Sequence, residues 1–246
     1  MRKVLIVTGG GRGIGAAIAR RAAADGYAVA VNYQHDSAAA EAVAESIRQG
    51  GGAAIALRAD VGSVAEVALL FARVETELGA PAALVNNAGI TGRIGPFADA
   101  DPRQIEAVFR TNVLGMMNCC RAAIESFRRS GTAGVIVNLS SVAAATGSPG
   151  EYVHYAASKA AVETFTLGLA KELAAEGIRV CGVAPGSTLT DIHARAGEPG
   201  RPQRVAPKIP MQRLATPEEI AEPVAWLLSP AASYVTGSIL RCTGGL

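Results

Sequence analysis

The sequence predicts an α/β fold in which a parallel sheet is wound on both faces by helices. Three observations carry that reading. Short β-branched runs recur along the chain and are nearly continuous in apolar character, as strands buried on both faces are. Amphipathic stretches separate them, so strand and helix alternate at a spacing of roughly 25 residues. A glycine-rich turn, Thr8 to Gly15, stands between the first strand and the first helix.

Taken in order, the predicted strands are Val4 to Thr8, Tyr27 to Tyr33, Ala53 to Leu57, Ala83 to Val85, Gly134 to Leu139 and Ile178 to Val183. The predicted helices are 14–25, 38–49, 64–78, 103–129, 153–176 and 217–229. Helix starts are marked chemically. Asp101-Pro102 supplies a cap and a proline at the first helical position. Thr216-Pro217-Glu218-Glu219 reads as a capping box. No internal repeat or linker divides the 246 residues, so one domain is expected, 1–246. The long irregular segment at 186–212 is rich in Gly, Pro and Arg, and long loops inside compact domains are commonly lids.

Composition removes several classes of function. Half the residues are hydrophobic and 18% are charged, enough apolar material for a large core. The formal charge of +2 gives no basic excess for nucleic acid, and aromatics at 4% leave little for base stacking. Cysteines 119, 120, 181 and 242 form no Cys-x-x-Cys pair, and with three scattered histidines no metal site is expected. The apolar start, Val4 to Val7, is too short for a signal peptide. The longest uncharged run, 130–150, is too polar for a membrane helix. A cytoplasmic protein that binds no membrane is expected.

The turn Thr8-Gly9-Gly10-Gly11-Arg12-Gly13-Ile14-Gly15 lets backbone approach a pyrophosphate, with a helix N-terminus offering N–H groups to it. Asp60-Val61 and Asn86-Asn87-Ala88-Gly89 follow the third and fourth strands, at the sheet edge where ligands bind in such folds. Asn138-Leu139-Ser140-Ser141 ends the fifth strand. Tyr155 and Lys159 stand i, i+4 on a helix and point the same way. A tyrosine titrates near ~10, and a neighbouring ammonium favours its phenolate. Such a pair, with a serine hydroxyl beside it, suits proton transfer to a substrate oxygen. Taken alone, the pair is equally a surface feature, and the glycine turn a tight connection.

Together, in this order, Thr8-Gly9-x-x-x-Gly13-Ile14-Gly15, Asn86-Asn87-Ala88-Gly89, Ser141, Tyr155-x-x-x-Lys159 and Pro185-Gly186 resemble the short-chain dehydrogenase/reductase family over essentially the whole length. The nearest likeness is to the branch holding bacterial 3-oxoacyl-carrier-protein reductases and glucose 1-dehydrogenases. The resemblance implies a doubly wound Rossmann fold with a seven-stranded parallel sheet, and an NAD(P)-dependent oxidoreductase interconverting an alcohol and a ketone or aldehyde. It implies catalytic roles for Asn112, Ser141, Tyr155 and Lys159, with Asn112 positioning a water that feeds protons through Lys159. It places Gly9, Arg12, Gly13, Ile14 and Gly15 along the pyrophosphate and ribose. Asp60 and Val61 would meet the adenine, Asn87, Ala88 and Gly89 the cofactor floor, and Pro185, Gly186, Thr188 and Thr190 the nicotinamide carboxamide. Tyr155 and Lys159 would also touch the cofactor.

NADP(H) is expected over NAD(H), with NAD(H) possible. Relatives specific for NAD place a carboxylate at the end of the second strand, where this chain has Tyr33 and Gln34. Arg12 offers a charge to a 2′-phosphate. The Ser-to-Tyr interval is one residue longer than in many relatives, and the extra residue is placed in Ala143 to Pro149. The choice of Ser141 over Ser140 rests on alternation at a strand end. Relatives acting on acyl carriers tend to be basic where this chain has Glu176, which speaks against a dedicated fatty-acid role. His193, Arg195 and Arg204 are candidate substrate contacts. A homotetramer is expected through helices 103–129 and 153–176, by way of Met116, Met117, Val162, Phe165 and Leu169. The alternative reading is a non-catalytic nucleotide-binding regulator on the same fold. A serine hydrolase is disfavoured, because no Gly-x-Ser-x-Gly elbow occurs.

Overall fold

Seven strands form one wholly parallel sheet: β1 (Val4–Val7), β2 (Ala28–Tyr33), β3 (Ala53–Arg58), β4 (Pro81–Asn86), β5 (Val135–Leu139), β6 (Arg179–Pro185) and β7 (Ile239–Cys242). The computed structural model describes residues 2–246, without the side chains of His193 and Arg195. The strand order is β3-β2-β1-β4-β5-β6-β7. The chain therefore reverses its winding between β1 and β4, and the crevice that opens there at the strand C-termini is the ligand site of such sheets.

The strands are apolar throughout because each feeds two cores. Leu5 and Val7 of β1 pack on one face with α1 (Gly13–Ala24), α2 (Ser37–Gln49) and α10 (Pro217–Leu228). Val4 and Ile6 pack on the other with α3 (Val64–Glu77), α5 (Met116–Ser130) and α7 (Val153–Leu173). Full burial of each such side chain contributes about 1.5–3 kcal/mol, so neither face can be left uncovered. Helix starts follow the capping chemistry: Asp36, Ser63 and Asp101 cap α2, α3 and α4 (Pro102–Phe109), and Thr216 with Glu219 closes a capping box on α10.

Two expectations are corrected. The stretch 103–129 is α4 and α5 joined by a π-helical turn, Arg110–Gly115, centred near Asn112. The segment 186–212 is not wholly irregular: it holds α8 (Ile192–Arg195), α9 (Arg201–Val205) and a 3₁₀ turn, Ala206–Lys208. The remaining short helix, α6 (Ala143–Thr146), lies in the Ser-to-Tyr interval.

Met116, Val162 and Leu169 lie inside the protomer core, with Met117 and Phe165 packed against it. Folding has already buried Met116, Val162 and Leu169, which leaves them little surface for the expected subunit contact, whereas Met117 and Phe165 are only partly buried. Leu114, Val153 and Leu167 are the exposed large apolar side chains on the same stretches.

Candidate active site

The glycine-rich turn is tied to the end of β4. The Thr8 hydroxyl accepts from the backbone N–H of Asn87 at 3.0 Å and of Ala88 at 3.1 Å. The Asn87 amide donates to the carbonyls of Thr8 and Gly9, both at 3.0 Å. Asn87 thus holds the turn rather than facing the crevice with its side chain. Gly9 sits at φ +60°, and a Cβ at Gly15 would collide with the Gly9 carbonyl and the Asn87 amide. Asn32, which sequence reading passed over, accepts from the Gly9 N–H at 3.3 Å.

Helix α1 begins without a side-chain cap, in contrast to α2, α3, α4 and α10. Its first N–H groups and its positive dipole end stand at the crevice, and Gly13 and Gly15 leave them approachable. An anionic phosphate is the group that fits there. Thr190 lies over Gly13, its Cγ2 3.0 Å from where a Cβ would be. Thr188 is buried and donates to the Gly186 carbonyl at 3.1 Å, while the Gly186 N–H donates to Cys242 at 2.8 Å. Pro185 ends β6 beside them.

At the end of β2, Tyr33 and Gln34 are half-buried, and the Gln34 carbonyl accepts from Arg58 at 3.3 Å. Asp36 is occupied as the cap of α2. Arg12 lies 3.5 Å from Asp191, with both side chains close to half exposed. The two border a groove of about 550 Å³ between α1, α2 and the 189–191 turn. Asp60 is more committed than the sequence suggested. It accepts from the Gly62 N–H at 2.9 Å and is ion-paired with Arg110, so two of about four acceptor positions are used. Val61 is buried against Gly115.

The polar centre lies at the end of β5. Ser140 is buried and donates to Glu163 at 2.9 Å, with the Lys159 carbonyl a second acceptor within reach at 3.2 Å. Ser141 instead stands beside the Tyr155 phenol, whose ionisation it favours, and accepts from the Ala143 N–H at 3.2 Å. Lys159 is buried and donates to the Leu139 carbonyl at 2.7 Å. Its Nζ lies 5.8 Å from the centroid of the Tyr155 ring.

Burial dominates the electrostatics here. Burial pushes the Tyr155 phenol above its ordinary value, and the Ser141 hydrogen bond only partly offsets this. Burial also pulls Lys159 down to about 8. Lys159 is therefore weakened as a cation by the desolvation that makes Tyr155 reluctant to ionise.

The Asn112 amide donates to the Ile90 carbonyl at 2.9 Å and to Ser158 at 3.0 Å, and its carbonyl accepts from the Ile90 N–H at 2.9 Å. Asn112 and Lys159 do converge at Gly89. A Cβ there would sit 3.3 Å from Asn112 Oδ1 and 3.5 Å from Lys159 Nζ, so glycine keeps that space open. The π turn adds one residue to the helical ladder and swings Asn112 toward α7.

Arg204, offered as a substrate contact, is bound to Glu198 and Glu151 at 2.6 and 2.7 Å. Internal pairing has taken it. The side chains of His193 and Arg195 lie outside the described residues. Among the described residues no group of three His, Cys, Asp or Glu could hold a metal. Burial pushes the Cys120 thiol up to about 12, which leaves it inert. No described helix is long and apolar enough to cross a membrane.

Comparison with known proteins agrees with this geometry. A family profile described as enoyl-(acyl carrier protein) reductase matches residues 9–246. The chain is 48% identical over 244 residues to an uncharacterized oxidoreductase, YgfF, of Escherichia coli K12, covering 98% of this chain and 99% of that one. It is 39% identical to the 3-oxoacyl-[acyl-carrier-protein] reductase FabG of Staphylococcus aureus, covering 100% and 98%. A crystal structure of a dehydrogenase/reductase from Sinorhizobium meliloti superimposes with a TM-score of 0.92 at 35% identity, covering 99% and 94%. The chain belongs to the short-chain dehydrogenase/reductase family of oxidoreductases.

Proposed function

We propose that the protein interconverts an alcohol and a ketone or aldehyde, with NADP(H) preferred and NAD(H) accepted. The observation that carries this is the buried Tyr155 phenol, beside Ser141 and one helical turn from Lys159, at the strand ends near the uncapped α1. The nicotinamide, when bound, supplies or accepts the hydride at the substrate carbon. In reduction, Tyr155 Oη donates its proton to the carbonyl oxygen while Ser141 holds that oxygen in place. A phenol held protonated by burial is suited to this donor role. Lys159, with a value of about 8, exchanges protons near neutral pH, and the open space at Gly89 lets Asn112 and Lys159 share a water that restores the Tyr155 proton.

The NADP preference rests on Arg12, on the absence of a carboxylate at Tyr33 and Gln34, and on the use of Asp36 as a cap. A small-molecule substrate is favoured over an acyl-carrier thioester. Arg128 is paired with Glu176 at 2.6 Å and Arg129 with Glu75, so the basic charge that would draw an acidic carrier is met within the chain. A homotetramer remains part of the proposal, now through faces carrying Leu114 and Leu167. Light scattering checks it, and a mass of one chain, 25.0 kDa, would remove it.

The deciding experiment follows oxidation of NADPH and NADH against a panel of ketones, sugars and acyl thioesters. Turnover with a small ketone or aldehyde is expected. Tight cofactor binding with no carbonyl-dependent turnover would favour the regulatory reading.

A further inference from the structure

Sequence reading left out Arg201. Its side chain is only 7% exposed, although it comes from the short α9 within 186–212. It donates to the Glu151 carboxylate and to the Tyr152 hydroxyl at 2.7 Å. Its guanidinium carbon lies 5.2 Å from the centroid of the Tyr152 ring. Tyr152 in turn meets Tyr155 edge-on, with ring centroids 5.2 Å apart and planes at 88°. The second Glu151 oxygen takes Arg204, which also holds Glu198. The Glu151 carbonyl accepts from the Gly95 N–H at 2.7 Å, and the Ile94 N–H donates to the Ala196 carbonyl at 3.3 Å. The 186–212 segment is thus fastened to both sides of the crevice, and one of its cations ends two rings away from the reacting hydroxyl.

A buried arginine is costly unless paired, and lysine reproduces neither its fork nor its stacking. Here pairing with Glu151, the bond to Tyr152 and the cation–π contact compensate most of that cost, while Nε, 4.0 Å from Glu198, is left without a hydrogen bond. We propose that Arg201 is a positioning residue that couples the seating of the 186–212 segment to the setting of the Tyr155 phenol, acting through Tyr152. The inference rests on the alcohol–carbonyl chemistry proposed above.

The charged and titratable groups facing the phenol are few. Tyr152 comes from the turn before α7, Lys159 from α7 and Arg201 from α9, with Glu151 behind Arg201. The end of β5 contributes the neutral Ser141 and the π turn the neutral Asn112. His154 is turned away, its Nε2 lying 3.1 Å from the Thr91 carbonyl. The positive charge of Arg201 favours the phenolate and offsets part of the burial effect.

The test measures alcohol oxidation against pH, where the rate rises as Tyr155 gives up its proton. Arg201→Met is expected to move that rising limb to higher pH by about half a unit or more. It is expected to lower kcat about tenfold by loosening the ring stack, with cofactor KM unchanged. Arg201→Lys keeps the charge and is expected to return the limb toward wild type. Tyr152→Phe keeps the ring but removes the hydroxyl, whose own effect on the phenolate opposes that of Arg201, and is expected to move the limb to lower pH. A limb in Arg201→Met identical with wild type overturns the proposal, whatever happens to kcat. If Arg201→Met fails to fold, an unmoved limb in Tyr152→Phe overturns it equally. Absence of turnover in the wild type removes the proposed function and this inference with it. Turnover with unmoved limbs removes this inference alone.

Discussion

The two ends of the crevice are built on opposite electrostatic terms. Tyr155 and Lys159 are buried, with Ser141 half-buried beside them, and Lys159 is fixed on the Leu139 carbonyl. At the mouth of α1, Arg12 and Asp191 are close to half exposed and stand 3.5 Å apart. A buried network holds geometry to fractions of an ångström and acts in a low dielectric, where it is strong and hard to alter. An exposed pair is weak, screened by salt and open to competition. The difference assigns bond-making to the rigid end and cofactor choice to the soft end. Four substitutions or conditions test that division.

Tyr155→Phe is expected to have the largest effect. It removes one hydroxyl and leaves the ring stacked on Tyr152, so the fold and cofactor binding should survive. Loss of the general acid should lower kcat by about 10²–10⁴-fold. Steady-state turnover beside a fluorescence titration of cofactor separates the two. Retained turnover would move the chemistry away from the buried end.

Lys159→Met asks what that burial costs. The unfolded chain carries a proton on Lys159 up to its ordinary value of 10.5, whereas the fold releases it near 8. Between those values the unfolded state binds more protons, so wild-type stability rises with pH through this window, and below it the burden is complete. The shift corresponds to about 3 kcal/mol. The variant should therefore gain on wild type at neutral pH, and the gap should close as pH climbs past 8. Urea unfolding across that range measures it. A gap that ignores pH would show that Lys159 is not the titrating group.

How much of this was legible in the sequence follows the same division. The strand and helix pattern was readable because two-sided burial forces continuous apolar strands. The glycine turn was readable because only glycine fits at Gly9 and Gly15. Tyr155 and Lys159 were readable as an i, i+4 pair. The π turn at Arg110–Gly115 was not, since one extra residue in a helical ladder leaves no mark on an amphipathic period. Glu151, Tyr152 and Arg201 escaped because they meet only through tertiary packing across about fifty positions, although Glu198, Arg201 and Arg204 stand at helical spacing. Desolvation of Lys159 could not be read either, because burial belongs to the fold and not to the spacing.

Arg12→Ala probes the soft end. A charge-assisted bond to a 2′-phosphate would be lost, discounted by exposure, so kcat/KM for NADPH should fall about tenfold. For NADH it should change less than about twofold, because the 2′-hydroxyl offers no charge to read. Kinetics with both cofactors in both proteins decide it. Equal losses would mean that Arg12 shapes the turn rather than reading the phosphate.

Salt should give the smallest effect. Raising ionic strength from about 0.01 to about 0.15 M shortens the screening length from about 30 to about 8 Å. Two consequences oppose each other at the mouth of α1. Screening weakens the pull of Arg12 on a 2′-phosphate, and it also weakens the Arg12–Asp191 pair that competes for the same guanidinium. The phosphate carries about −1.5 to −2 charges against the single charge of a carboxylate, so the first consequence should prevail. KM for NADPH should rise about threefold at most, and KM for NADH less. The rate constant kcat should hold, because Tyr155 and Lys159 are buried where mobile ions do not reach. A kcat that falls with salt while KM holds would invert the comparison, placing the screened charges at the catalytic end. The natural suspects would then be Arg204 and Glu198, the outer members of the cluster that seats Arg201.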